Sequence, residues 1–291
     1  MTMRIMVTGC AGFIGSALCE RLLKDGHQVW GVDNLLNNRT YRMSKCKSYE
    51  TFRFMADSIQ YVDDLELPRI DVIYNLASPT IPGEFKQYPI DTISANVSGL
   101  KAVLDLARYY GSKVVHASTI RVLEPVDLQS QNACYIEGKR CAEVLCHEYS
   151  KTGLDVSVVR LFSVYGPGMK KEDTRVVPVF IRKALFGEDL EIIGKGHQMD
   201  TFTYVDDVVD FFVSEANQSI GSLITFDCGD AISILGLAML VKEITGSKSS
   251  IVRIGKVFEG INRVTMHQSN KTVVGLREGL EKTVEYYKKL I

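Results

Sequence analysis

Two rhythms of apolar residues alternate along the first half of the chain. Short apolar runs at 4–8 (RIMVT), 27–33 (HQVWGVD), 52–57 (FRFMAD), 71–78 (DVIYNLAS), 112–118 (SKVVHAS) and 154–166 (LDVSVVRLFSVYG) read as strands. The uninterrupted runs are of the kind buried on both faces of a sheet. Between them, 16–26 places Leu18, Leu22 and Leu23 on one helical face and stops at Gly26, and 93–111 is a second helix ending at a glycine. Strands alternating with helices predict an α/β fold of the Rossmann type, a doubly wound parallel sheet. After YGPG (165–168) the rhythm loosens, and 176–190, 206–216, 233–246 and 275–290 read as helices. Residues 1–165 are therefore expected to form the sheet domain. Residues 166–291 are expected to form a smaller C-terminal α/β cap, some of whose elements return to the sheet.

Composition narrows this little. The chain of 291 residues carries a formal net charge of −1, so no basic field draws it to nucleic acid or to an anionic membrane. It holds no run of eighteen apolar residues that would span a bilayer. The opening MTMRIMVTGCAGFIGSALC has the superficial look of a signal peptide, but its glycines fit a strand, turn and helix, so a cytoplasmic protein is expected. Seven cysteines with no C-x-x-C pair read as reduced thiols, and five scattered histidines give no metal-ligand spacing, so no metal is expected.

The turn after the first strand changes the picture. TGCAGFIG sets Gly9, Gly12 and Gly15 between strand and helix, where glycines allow a tight turn and close approach of backbone to a pyrophosphate seated on the helix N-terminus. Asp33 ends the second strand at the spacing from which an acid accepts hydrogen bonds from a ribose 2′-hydroxyl and repels a 2′-phosphate. The cofactor expected is NAD rather than NADP, with Arg39 nearby as the residue that opposes this choice.

A second constellation lies at 116–140. Tyr135 and Lys139 share a face if 135–150 is helical. A neighbouring ammonium favours phenolate, and such a tyrosine can take a proton from a substrate hydroxyl while hydride leaves the same carbon. Ser118 and Thr119 follow the fifth strand, at the carboxyl edge where ligands bind in such sheets.

With NLASP (75–79), CYIEGKRCAE (134–143), YGPGM (165–169), RVVPVFIRKALFGEDL (175–190) and YVDDVV (204–209), the chain resembles the extended short-chain dehydrogenase/reductase family over nearly its whole length. That family modifies nucleotide sugars with tightly bound NAD, and the resemblance is nearest to its UDP-glucuronate decarboxylase branch. The resemblance implies a catalytic triad of Thr119, Tyr135 and Lys139. It implies NAD contacts at Gly9, Ala11, Gly12, Phe13, Ile14, Gly15, Asp33, Asn34, Asp57, Ser58, Leu76, Ala77 and Ser78, and at Tyr135 and Lys139 themselves. Substrate would meet Ser118, Arg121, Ser163, Arg175, Val176 and Asp200. A homodimer would form through the helices near 93–110 and 135–150.

The substrate half departs from the family pattern. Arg121 stands where dehydrating and decarboxylating members usually carry a glutamate, and Ile120 where dehydratases carry an aspartate. Arginine cannot replace an acid–base group because it does not deprotonate near neutral pH. Ser163 replaces an asparagine, and Asp200 an arginine that commonly holds the substrate diphosphate. The expected activity starts with oxidation at sugar C4. It then leads to decarboxylation of a UDP-glucuronate-like substrate or to the C4 epimer, with release of a keto sugar as an alternative. Retention of Thr119, Tyr135 and Lys139 speaks against a non-catalytic NAD-binding sensor. The charges at Arg121 and Asp200 are expected either to face each other or to leave Arg121 gripping a substrate anion.

Overall fold

The computed structural model describes residues 2–36, 40–218, 221–226, 231–255 and 274–291. Arg39 and Cys228 lie outside the described residues. The first half runs β1 (Arg4–Thr8), α1 (Phe13–Lys24), β2 (Gln28–Val32), β3 (Phe52–Met55), β4 (Val72–Asn75), α2 (Pro82–Gln87), α3 (Pro89–Ser94), α4 (Leu100–Tyr110), β5 (Lys113–Thr119), α5 (Ala133–Lys151) and β6 (Val156–Leu161). It continues through β7 (Ser163–Tyr165), α6 (Val176–Phe186), β8 (Leu190–Ile193), β9 (Met199–Tyr204), α7 (Val205–Ala216), β10 (Leu223–Phe226), β11 (Ala231–Ser233), α8 (Ile234–Thr245), β12 (Ile251–Ile254) and α9 (Leu276–Lys288). The chain divides into two compact units, 1–160 with 209–225, and 161–208 with 226–291.

The first unit is built on a seven-stranded sheet in the order β10-β6-β5-β4-β1-β2-β3. The strand β1 pairs in parallel with β2 on one side and with β4 on the other. The chain therefore winds outward from β1, then returns to its other side, and the crevice at this reversal opens at the ends of β1 and β4. All four β4 residues are buried, as their continuous apolar run predicts. The helix α4 turns Leu100, Val103, Leu104, Leu106 and Ala107 into the core. Its outer face carries Lys101, Asp105 and Arg108 in surface ion pairs, which contribute little individually.

The helix expected at 93–111 is not uniform. Residues Ala95–Gly99 form a π turn between α3 and α4. Its cause is Asn96, whose buried Nδ2 donates to the Thr92 carbonyl at 2.7 Å, so a side chain enters the backbone ladder.

The second unit holds a three-stranded sheet, β11-β9-β7, and a two-stranded sheet, β12-β8, with α6, α8 and α9. Here the sequence expectation needs correction. The run 154–166 is two strands broken at Phe162, because β6 joins the large sheet whereas β7 pairs with β9, Ser163 beside Phe202. The division between the two units falls at 160/161, where β6 gives way to β7. Three of the small strands, β8, β11 and β12, are too short and mixed to stand out by period.

Near the start of β6 the first unit buries a carboxylate without full compensation. Glu215 of α7 is 6% exposed, and its Oε2 has no hydrogen-bond partner. Burial pushes its carboxyl above the usual glutamate range, against the pull of the Lys113 ammonium and the Ser157 hydroxyl. A raised carboxylate binds its proton more tightly folded than unfolded, so its contribution to stability is present at low pH and lost as pH rises through the raised value. Glu215→Gln is expected to unfold at a higher temperature than the parent protein at pH 7, with the gap closing towards pH 4 in thermal melts.

Candidate active site

The glycine turn shapes a cleft in the first unit. Gly9 adopts φ +70°, and a Cβ there would lie 2.9 Å from the backbone of Leu76 and Ala77. A Cβ on Gly15 would lie 2.1 Å from the Gly9 carbonyl oxygen, so α1 can start this close to β1 only with glycine. No side chain caps α1, and its first turn carries no acid. The positive end of the helix dipole is thus open to an anion. Gly9, Ala11, Gly12, Asp33, Asn34, Ser58, Leu76, Ala77 and Ser78 line the cleft, together with Leu35, Leu36, Ile59, Gln60, Pro79, Glu84, Asp91 and Ala95, which sequence reasoning missed. Phe13, Ile14 and Gly15 form the first turn of α1. Asp57 is turned onto its own chain, accepting the Ser58 N–H at 2.7 Å.

Asp33 organises the rim. Its two oxygens accept the N–H groups of Ala11 and Leu35 at 3.0 and 2.9 Å. Leu35 is held at φ +55°, a strained conformation for a branched side chain. A carboxylate accepts hydrogen bonds from several directions, which is the property a ribose hydroxyl requires of it. Behind the rim, the Thr8 hydroxyl accepts the N–H groups of Leu76 and Ala77 and donates to Asn75 Oδ1 at 2.6 Å, locking the cleft floor to β1 and β4.

The catalytic candidates gather where β5 ends and α5 begins. Thr119 is 5% exposed and caps a short turn, its Oγ1 accepting the Arg121 N–H at 3.3 Å and leaving its own proton to donate. Tyr135 lies in the first turn of α5, stacked against Phe85 of α2 with ring centroids 5.4 Å apart and planes 12° apart. Lys139 is 3% exposed and donates to the Ala117 carbonyl at 2.8 Å. Burial pulls its ammonium down to about 8, against the favourable influence of Cys146 and Glu143. Asn96 of the π turn packs beside Gly138 and donates to Ser78 Oγ at 2.9 Å, joining the helix layer to the cleft.

The expected substrate contacts fare differently. Ser118 is 4% exposed and donates its proton to Glu143 Oε1 at 2.6 Å, which links β5 to α5. Arg121 has its own acid: its Nε pairs with Glu124 Oε2 at 3.2 Å, three residues on, across the turn Ile120–Leu123. Arg140 of α5 pins this segment by donating to the carbonyls of Val122 and Glu124. In the second unit, Ser163 donates to Asp200 Oδ2 at 2.9 Å, and Oδ1 accepts the Thr201 N–H. Arg121 and Asp200 thus each find a local partner. Arg175 is forked onto the fully buried Asp173 at 3.0 and 2.7 Å, just before α6, whose first residue is Val176. Glu143, at four residues from Lys139, was in principle legible by helical spacing. Glu124, Phe85, Asn96 and Asp173 had no such signal, because their partners are set by turns and by long-range packing.

Comparison with known proteins decides the family. The model of the NAD dependent epimerase/dehydratase family matches residues 5–223. This chain belongs to the NAD-dependent epimerase/dehydratase family. UDP-glucuronic acid decarboxylase 1 of Xenopus tropicalis is 34% identical over 307 residues, spanning 98% of this chain and 72% of the relative. UDP-glucuronic acid 4-epimerase of Bacillus cereus, solved with UDP-glucuronic acid and NAD, superposes with a TM-score of 0.85 at 26% identity over 99% of this chain and 100% of the other. UDP-glucose 4-epimerase of Thermotoga maritima, solved with UDP-glucose, gives 0.87 at 26% identity over 99% of both chains. This member of the epimerase/dehydratase family is an enzyme whose cofactor is NAD. The open helix terminus, the glycine turn and Asp33 fit that dinucleotide. Among the described residues no group of His, Cys, Asp and Glu could hold a metal ion, and no helix is long and apolar enough to cross a membrane.

Asp33 is expected to make NAD bind at least about tenfold more tightly than NADP, a difference of about 1.4 kcal/mol, in calorimetric titrations with each dinucleotide. Equal affinities would remove Asp33 from cofactor choice.

Proposed function

We propose that this enzyme modifies a nucleotide sugar by a reaction that begins with oxidation at sugar C4, acting as a decarboxylase of a UDP-glucuronate-like substrate or as a C4 epimerase. The observation that carries the reading is the grouping of Thr119, Tyr135 and the buried Lys139 at one end of β5 and α5. Bound NAD supplies the hydride acceptor. Tyr135 takes the hydroxyl proton of the substrate. The ammonium of Lys139 favours the phenolate, and a desolvated charge acts more strongly than one in water. Thr119, whose own hydroxyl proton is not used in accepting the Arg121 N–H, donates to the same substrate oxygen. Phe85 holds the Tyr135 ring in one orientation by stacking on it.

The names of the relatives support a UDP-sugar as substrate. The missing acid at position 121 speaks against 4,6-dehydration, and the nearest acid, Glu124, is 9% exposed and paired with Arg121. The rest of the Arg121 fork is the best candidate to meet a substrate carboxylate or phosphate. Release of the keto sugar is the second outcome this arrangement permits. We further propose a homodimer through α4 and α5, where Tyr109 is 82% and Val144 57% exposed. The six described cysteines are free thiols, which fits a reducing, cytoplasmic setting.

Tyr135→Phe is expected to lower hydride transfer by at least a hundredfold while leaving NAD bound, measured by NADH absorbance in a single turnover with UDP-glucuronate, UDP-glucose and a panel of further nucleotide sugars. Mass spectrometry of the wild-type products separates the readings. Carbon dioxide with a UDP-pentose marks decarboxylation, and a product of unchanged mass marks epimerisation. No turnover with any nucleotide sugar sinks the proposal. Activity on the true substrate is expected to fall as pH rises through about 8, where Lys139 loses its proton.

A further inference from the structure

The Lys139 ammonium sits in a protein interior that offers it few charges. Its Nζ donates to the Ala117 carbonyl at 2.8 Å, which satisfies one donor and supplies no full charge. Of the titratable groups around it, His116 on β5 is 1% exposed and bonded through Nδ1 to Asn75. Burial, and then Lys139 itself, hold that imidazole well below its ordinary value, so it is neutral at pH 7. Cys146, on the same helix, is 1% exposed, and burial pushes its thiol up to about 12, so it too is neutral. Tyr135 is the group the ammonium serves. Glu143 is one helical turn beyond Lys139 on α5.

Glu143 is also firmly anchored. Arg160 of β6 donates to both of its oxygens, from Nε to Oε1 at 2.9 Å and from Nη2 to Oε2 at 2.6 Å. Ser118 donates to Oε1 at 2.6 Å. The two side chains of the ion pair are 11% and 18% exposed. Three elements, β5, α5 and β6, therefore meet on one carboxylate, and Ser118 adjoins both Ala117, the carbonyl partner of Lys139, and the catalytic candidate Thr119.

We propose that Glu143 is a positioning residue for Lys139: clamped between Ser118 and Arg160, its carboxylate supplies the negative charge that keeps the buried ammonium protonated and seated on the Ala117 carbonyl. This rests on the reading of Lys139 as the active-site ammonium, but its test needs no turnover. A carboxylate that merely pinned β5 to α5 would affect stability and leave the Lys139 titration where it is.

The experiment follows the titration of Lys139 by NMR in the full-length protein labelled with [ε-13C]lysine, its resonance assigned by its loss in Lys139→Arg. In Glu143→Gln, which keeps an oxygen for Ser118 and removes the charge, the Lys139 midpoint is expected to fall by half a pH unit or more, about threefold in proton affinity. Glu143→Asp is expected to restore most of that shift. If Glu143→Gln leaves Arg160 too exposed to charge imbalance to fold, Glu143→Gln/Arg160→Gln removes both charges and is expected to show a smaller downward shift, because loss of the Arg160 charge by itself raises the Lys139 midpoint. A Lys139 midpoint that stays within about 0.2 unit of wild type, or rises, in the folded variant overturns the proposal. An enzyme inactive on every nucleotide sugar would sink the proposed reaction and leave this titration to stand or fall by itself.

Discussion

A lysine ammonium buried to 3% exposure is expensive to hold, because taking such a charge out of water costs several kcal/mol even after the protein relaxes. Much of the surrounding structure answers that demand. The Ala117 carbonyl is presented by β5 at the point where that strand leaves the sheet. Gly138 lets α5 lie against Asn96 of the π turn, where a Cβ would already be 3.3 Å from the Asn96 side chain. One helical turn along α5 from Lys139, Glu143 is forked onto Arg160 of β6. The same packing that desolvates the ammonium makes its field stronger, since water is no longer there to screen it. The chemistry of the site and its cost in stability thus have one origin.

The cofactor cleft is tied to this centre by a chain of buried polar contacts. Thr8 holds the Leu76 and Ala77 backbone and binds Asn75, and Asn75 binds His116 on the strand that carries Thr119. Asn96 reaches from the helix layer to Ser78. Buried polar groups of this kind are costly when unpaired and rigidifying when satisfied. They keep the glycine turn, the cleft floor and the end of β5 in one register.

The charged residues that the resemblance singled out, Arg121 and Asp200, are each met by a neighbouring side chain. A part-buried arginine at position 121 needs a counter-charge close by. Glu124 answers it within a single turn, and Arg140 fastens the same turn to α5 by its carbonyls. On the second unit, Asp200 is taken up by Ser163. Both charges are therefore accommodated by neighbouring side chains within their own unit.

What the sequence determined by itself are the features governed by short range. Period and glycine placement specify the alternation of β1, α1, β2, β4, α4, β5 and α5, because burial on both faces and helical facing follow from spacing alone. The glycine turn with Asp33, and Tyr135 with Lys139, are likewise local. The tertiary structure decided everything that needed two distant segments to meet. It broke 154–166 into β6 and β7, since nothing in an apolar run states which sheet each part will join. It made Ser118 a link to Glu143, gave Tyr135 its stacking partner Phe85 from fifty residues away, and let Asn96 bend its own helix. A side chain's period tells which face it occupies. Which partner waits on that face is settled only when the chain closes on itself, because hydrogen bonds and ion pairs act over a few ångströms while the residues that make them lie tens of positions apart.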